Sequence, residues 1–173
     1  MSDKYRIVIL NKKLHQRVAF DCGEPALNDY LQKFAVQHAA QDISQTLVLV
    51  SDKAPETILG FYTLSTGQLE REDLPVVLNK HLPRYPVPIA RLARLAVVRH
   101  GQGQHWGQTL LLDAFAKCVT LSQQIGIFGI VVDAKHERAK QFYQRYGFVE
   151  LQSQPLTLLI RMSTVRQLFP QSD

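Results

Sequence analysis

The stretch "VVRHGQGQHWGQTLLLDA", residues Val97 to Ala114, is the part of the chain whose residue types point most directly to chemistry. "RLAVV" reads as the end of a strand, "RHGQGQ" as a loop, and an apolar helix begins near His105. The first turn of a helix carries N–H groups that have no acceptor within it, and the helix dipole adds partial positive charge there. A pyrophosphate is the natural guest of such a start. Glycines let the backbone approach the oxygens and adopt positive φ where the turn needs it. His105 and Trp106 stand where such loops usually keep small residues. On this pattern alone, a phosphate cradle and an ordinary structural turn are both open.

The elements around the loop can be read from periodicity. "YRIVIL" (Tyr5–Leu10) is a first strand. After "FDCGEP" a helix is expected to bury Leu27, Leu31, Phe34 and Ala35 on one face, with Pro25 in its first turn. "TLVLVSD" and "TILGFYTLS", joined through the turn-prone "DKAPE", form an antiparallel hairpin. The segment from Leu74 to Pro88 is an excursion with a short helix at Val76–Lys80, and "VPIARLARLAVV" returns to strand. Leu110, Leu111, Ala114, Cys118, Leu121 and Ile125 recur at helical spacing, and Gly126 stops that helix. "IFGIVVDA" is a strand apolar on both faces. "KHERAKQFYQRYG" is a helix closed by Gly147, "FVEL" and "LTLLIRM" are strands, and "STVRQLF" is a last helical turn. This alternation implies a mixed α/β sheet with helices on both faces.

Composition sets the outer bounds. With 173 residues, 46% hydrophobic and 20% charged, the chain fits one globular domain spanning residues 1–173. "MSDKYR" carries no apolar segment after its start, and no uncharged apolar run approaches the ~20 residues of a membrane span. Cys22 and Cys118 lack any ligand spacing, so the expectation is a reduced cytoplasmic protein with no metal and no membrane. A net charge of +5 permits a polyanionic partner without requiring one. Arg84, Arg91, Arg94 and Arg99 lie in a stretch without Asp or Glu.

The order of "RLARLAVV", the loop, one further strand and "KHERAKQFYQRYGF" resembles the GNAT-family N-acetyltransferases, which use acetyl-CoA. Their Q/R-x-x-G-x-G/A loop matches Gln102-Gly103-Gln104-His105-Trp106-Gly107 at Gln102 and Gly107, with His105 replacing a glycine. "FDCGEPALNDYLQKFAVQHA", "LGFYTLS", "VPIARLARLAV" and "VDAKHERAKQFYQRYGF" extend the resemblance, over residues 5–165, to the GNAT toxins of bacterial toxin–antitoxin modules.

That resemblance implies the GNAT fold, a twisted, mostly antiparallel mixed sheet. It also implies transfer of acetyl to the α-amino group of aminoacyl-tRNA. Acetyl-CoA is then held by Leu95, Ala96 and Val97 of the strand and by Gln102, Gly103, Gln104, His105, Trp106, Gly107 and Gln108 of the loop and helix start. Tyr143 falls on the tyrosine of the family's "FY…GF" segment, which protonates the departing thiolate. A phenol of pKa about 10 is protonated at neutral pH and suits that task. A small antitoxin of the ribbon–helix–helix type is implied as partner, and homodimers occur among similar toxins.

Several points stay open at this stage. His105 is read as lying in the first helical turn, near αR, and admits three readings: tolerated variation, weakened CoA binding or an inactive chain. Trp106 is read chiefly as a packing residue. No base stands on the strand Val87–Val98, and Asp133 at a strand end serves equally to begin the next helix. An α-amine of pKa about 7.7–8.0 needs less help losing its proton than a lysine at about 10.4, which favours an aminoacyl acceptor. Lys33, Arg84, Arg91 and Arg94 are the candidate tRNA contacts, with Arg91 and Arg94 on opposite faces of a strand. The alternatives are a GNAT enzyme acting on a small-molecule amine or protein amino group, and a degenerate CoA-binding module.

Overall fold

The computed structural model of the chain describes residues 2–152 and 154–169. Seven strands are hydrogen-bonded in the order β1-β2-β3-β4-β5-β7-β6. They are β1 (Tyr5–Ile9), β2 (Gln45–Ser51), β3 (Gly60–Leu69), β4 (Val87–Val97), β5 (Gly129–Asp133), β6 (Val149–Leu151) and β7 (Gln154–Arg161). The β1·β2, β2·β3, β5·β7 and β6·β7 ladders are antiparallel, whereas β4 and β5 run parallel. The mixed, mostly antiparallel sheet expected from the sequence is therefore observed, hairpin included. By backbone contacts the chain divides into two compact units, Met1–Ser65 with Ala93–Ala114, and Thr66–Leu92 with Phe115–Asp173.

In the first unit, the core gathers Phe20, Leu31, Val48, Val50, Phe61 and Ala96. β2 is buried at every position from Thr46 to Ser51, since both of its faces are covered. Its two buried hydroxyls are satisfied: that of Thr46 pairs with that of Thr63 across the ladder at 2.8 Å, and that of Ser51 donates to Asp3 at 2.6 Å. Pro25 opens α1 (Pro25–Asp29) as predicted, its missing N–H falling where no intrahelical bond is lost.

The helix then departs from expectation. Tyr30–Phe34 is a π-turn, and α2 (Ala35–Ala40) follows directly. The wider turn shifts the helical register, so Tyr30 joins Leu27, Leu31 and Ala35 in the interior while Phe34 is left 45% exposed. A 3.6-residue period assigns Phe34 to the buried face because it assumes an uninterrupted α-helix.

β3 and β4 are neighbours in the sheet, and Gly60 marks their close approach. A Cβ at Gly60 would lie 2.8 Å from Leu110 Cδ1 and 2.9 Å from the Ala96 carbonyl oxygen. Leu110 belongs to α4 (Trp106–Ser122), whose buried residues include Leu110, Leu111, Ala114, Phe115 and Cys118. Leu121 and Ile125, assigned to the same face from sequence, are exposed. The helix ends at Ser122, so Ile125 falls outside it.

The second unit is centred on Leu69, Leu74, Ile89, Val131, Leu151 and Leu159. The excursion before β4 holds the short helix α3 (Val76–Asn79). α5 (Glu137–Gln144) begins at an N-cap supplied by His136, whose Nδ1 accepts the Ala139 N–H at 3.1 Å. Asp133 is thus not the residue that starts this helix; it stands too early, at the end of β5. On α5, Lys140 is buried and its ammonium is ion-paired with Glu150 of β6. The Glu150 hydrogen bond raises the Lys140 pKa. α6 (Met162–Gln167) closes the described chain.

Both cysteines are buried free thiols, and burial pushes Cys118 up to about 11. Among the described residues, no helix is long and apolar enough to cross a membrane, and no group of three His, Cys, Asp or Glu could hold a metal ion.

Gly60→Ala is expected to lower stability by about 1–3 kcal/mol through overpacking against a backbone oxygen that cannot move aside. Denaturant unfolding followed by circular dichroism measures this, and an unchanged midpoint would contradict the close approach described.

Candidate acetyl-CoA site

The segment after β4 is built from local bonds. A 3₁₀ turn covers Arg99–Gly101, and the Gln104 N–H donates to the Gly101 carbonyl at 3.1 Å. Gly101 is buried because the indole of Trp106 lies on it; a Cβ there would overlap the ring. Trp106 packs in turn against Tyr5, with ring centroids 5.6 Å apart. Packing therefore places Trp106, as its apolar bulk at the start of an amphipathic helix suggests.

His105 does not lie in the first helical turn. Its φ is +62°, in the left-handed region, and α4 begins one residue later. Its carbonyl accepts the Thr109 N–H at 3.1 Å, the first bond of the helix. The correction has a physical reason: the chain must turn sharply to enter α4, and left-handed φ does this most easily with glycine. A histidine there is unusual but accessible, since His is several-fold enriched among non-glycine residues at positive φ.

Gln102, Gly103, Gln104 and His105 are all exposed. Gly103 also has positive φ, +90°, and no heavy atom lies within 4 Å of where its Cβ would be. The N–H groups of Trp106, Gly107 and Gln108 precede the first intrahelical bond, so they meet the requirement for anion binding. The open space at Gly103 and the exposed loop fit a bulky diphosphate.

A clamp that sequence reading missed holds the start of this loop. The Asp21 carboxylate accepts the Gly23 N–H at 2.9 Å, the Asn28 side-chain amide at 3.0 Å and the Arg99 guanidinium at 3.2 Å. The Arg99 N–H also donates to the Asp21 carbonyl at 3.0 Å. The Gly23 hydrogen bond, above all, holds the Asp21 carboxyl below the usual carboxylate range. "DCG" carried a signal for half of this, since Asp commonly bonds the N–H two residues on; the link to Arg99 is long-range.

On β4, Leu95 and Val97 are half-buried and Ala96 is buried. The parallel ladder with β5 spans Ile89–Leu92, and β4 continues to Val97. Arg91 and Arg94 have separate roles. Arg91 donates to Asp133 at 3.0 Å, while Arg94 lies 3.6 Å over the ring of Tyr30. Asp133 also accepts the Thr157 hydroxyl at 2.7 Å, so it works as an anchor of the β5 end. Lys33 is exposed in an ion pair with Asp29, and Arg84 is exposed in the excursion.

Tyr143 sits on α5 with 6% exposure. Edge-to-face contacts with Phe142 and Phe148, at 5.2 and 5.4 Å between centroids, fix its ring plane. Phe142 and Tyr146 continue this row at 5.3 Å. The aromatic spacing thus builds a packed stripe with Tyr143 as its most buried tyrosine.

A family model described as an acetyltransferase (GNAT) domain matches residues 42–150. The chain belongs to the GNAT family. Among curated relatives, this GNAT chain is 37% identical to the tRNA-acetylating toxin of Mycobacterium tuberculosis over 87% of its length and 88% of that protein's. Its fold superposes with a TM-score of 0.88 on the structure of AtaT complexed with acetyl-methionyl-tRNAfMet, at 32% identity, covering 96% of this chain and 99% of the other. A tyrosine-to-phenylalanine mutant of AtaT, bound to the C-terminus of the antitoxin AtaR and acetyl-CoA, matches with a TM-score of 0.83 and 30% identity over 96% and 99%. The GNAT chain is thus an acetyltransferase by family.

Two measurements check this geometry. His105→Gly is expected to raise stability by no more than about 1 kcal/mol, since relief of left-handed strain is partly offset by the flexibility of glycine. His105→Val should lower it; urea midpoints that coincide for the two variants would refute the left-handed assignment. The Asp21 clamp predicts a pH-dependent gap. Because the folded-state carboxyl titrates below its unfolded value, wild type should exceed Asp21→Ala in stability fully above pH ~4. The difference should close as pH falls through the folded pKa, and a gap constant from pH 7 to 2 would refute it.

Proposed function

We propose that this chain is a toxin that transfers acetyl from acetyl-CoA to the α-amino group of aminoacyl-tRNA and so blocks translation. The observation that carries the reading is the combined likeness, over nearly the whole chain, to a tRNA-acetylating toxin and to AtaT with acetylated methionyl-tRNA. Residues 1–173 would act as one acetyltransferase domain in the cytoplasm, without metal.

In this reading, the amide groups of Trp106, Gly107 and Gln108 bind the pyrophosphate of acetyl-CoA, together with Gln102, Gly103, Gln104 and His105. Leu95, Ala96 and Val97 offer backbone hydrogen bonds to the pantetheine arm and to the oxygen that gains charge as the thioester is attacked. The neutral amine adds to the thioester carbonyl carbon, the C–S bond breaks and an amide forms. Tyr143 gives its proton to the departing sulfur and is reprotonated from water, while the amine proton leaves to solvent. An aminoacyl amine, its basicity lowered by the neighbouring ester, needs no strong base. Asp133 is occupied by Arg91 and Thr157, which supports a mechanism that does not call on it.

We assign Lys33, Arg84 and Arg94 to the tRNA phosphates; Arg91, expected from sequence to share that role, is instead engaged within the fold by Asp133. A small antitoxin, of the ribbon–helix–helix type, would restrain the toxin, in keeping with the AtaR-bound relative. A homodimer is proposed as the working form. His105 is read as tolerated, because its side chain is exposed and its positive φ is the conformation a glycine would take there.

Incubation with labelled acetyl-CoA and bulk charged tRNA should place label on the aminoacyl amine. Label on polyamines or proteins alone would favour a different amine acceptor. Tyr143→Phe should keep acetyl-CoA affinity and slow transfer at least ~10²-fold, the lower range for general acid catalysis. Unchanged turnover would remove Tyr143 from the mechanism. Failure of the wild type to bind CoA until His105→Gly restores it would establish a degenerate cofactor module instead.

A further inference from the structure

The π-turn is the least expected part of the first unit, and it has a chemical product. The Ala35 N–H reaches back to the Tyr30 carbonyl, and this wide turn swings Phe34 out of the interior. Tyr30 takes the inner place, with its hydroxyl 3.1 Å from His38 Nδ1 and 3.0 Å from Ser44 Oγ. One solvent-exposed aromatic residue is ordinary in itself. What sets Phe34 apart is the set of rings beside it. It stacks on Tyr30 at 6.4 Å between centroids and 25° between planes, and His38 flanks it at 5.9 Å and 37°. The Arg94 guanidinium lies over the same Tyr30 ring at 3.6 Å. Cations flank the turn: Lys33 precedes Phe34 in sequence, its side chain 62% exposed and 3.5 Å from the Asp29 carboxylate, and Arg17 donates to the Gln32 carbonyl.

An exposed aromatic ring backed by other rings and flanked by cations is the construction that stacks an unpaired nucleobase beside its phosphates. A helix also gives up regular α hydrogen bonding to form a π-turn, and such turns occur frequently at functional sites. We propose that Phe34 is a stacking platform for an unpaired base in the single-stranded acceptor end of tRNA, with Lys33 and Arg94 supplying the positive field for the adjoining phosphates. This assignment rests on the tRNA reading above, and it adds a recognition residue that periodicity hides in the core.

The test compares wild type with Phe34→Ala and Phe34→Trp, using charged tRNA and, separately, tRNA with 2-aminopurine in its unpaired 3′ end. Both variants should fold, since Phe34 is exposed; thermal melts confirm this. Phe34→Ala is expected to raise KM for charged tRNA roughly tenfold, within the span measured for base stacking on aromatic rings. Its kcat at saturating tRNA and its KM for acetyl-CoA should not change. Wild type and Phe34→Trp should quench the 2-aminopurine, whereas Phe34→Ala should not. If wild type acetylates charged tRNA while Phe34→Ala leaves KM and quenching intact, the platform falls and the tRNA reading stands. If wild type neither labels charged tRNA nor quenches, both fall. A Phe34→Ala variant that loses only its hold on an antitoxin peptide would assign the ring to a protein partner and overturn the proposal.

Discussion

The indole of Trp106 rests on Gly101, and the path of the chain between β4 and α4 follows from that contact. Any side chain at Gly101 would displace the ring, and any small residue at Trp106 would leave the 3₁₀ turn uncovered beside Tyr5. With the indole seated, the helix axis is fixed where the strand ends, and His105 must make the remaining reversal in one residue. Left-handed φ at that position is the geometric result. The Asp21–Arg99 pair then ties the front of the same loop to the segment that starts α1. The Gly101–Trp106 and Tyr5–Trp106 contacts and the Asp21–Arg99 pair thus fix the path of the chain into α4.

Much of this was legible in residue order, for identifiable reasons. The hairpin, the long strand through "VPIARLARLAVV" and the helix after the loop were legible because apolar periodicity is a local property. Pro25 declared its place through its missing N–H, and Gly147, at φ +106°, closed the α5 segment as expected. What escaped depends on departures from regular geometry or on distant partners. Phe34 was misassigned because a π-turn changes the period without changing composition. His105 was placed in the helix because its residue type does not announce positive φ. Leu121 and Ile125 matched the helical spacing, but the helix ends between them. Asp133 had the chemistry of a helix cap, yet His136 stands at the cap position and Arg91 claims the carboxylate.

The division of labour among charged and aromatic groups follows the same logic. Arg91 is an anchor for the end of β5, whereas Arg94, three residues on, lies on an aromatic ring. Alternation along a strand separates the two, and each neighbourhood then decides the role. Lys140 shows the opposite outcome: a long cationic side chain drawn inside, with its charge met by Glu150. Tyr143 gains definition from its neighbours rather than from its own type. The rings of Phe142 and Phe148 pack edge-on against it and set the orientation of its phenol.

The π-turn releases one side chain from the interior without disturbing those around it. Leu27, Leu31 and Ala35 stay buried around it, while Phe34 alone among this segment's expected core positions faces outward. Drift at position 34 can therefore proceed without repacking these neighbours. A lineage carrying this turn has room to vary one surface group while its scaffold stays the same.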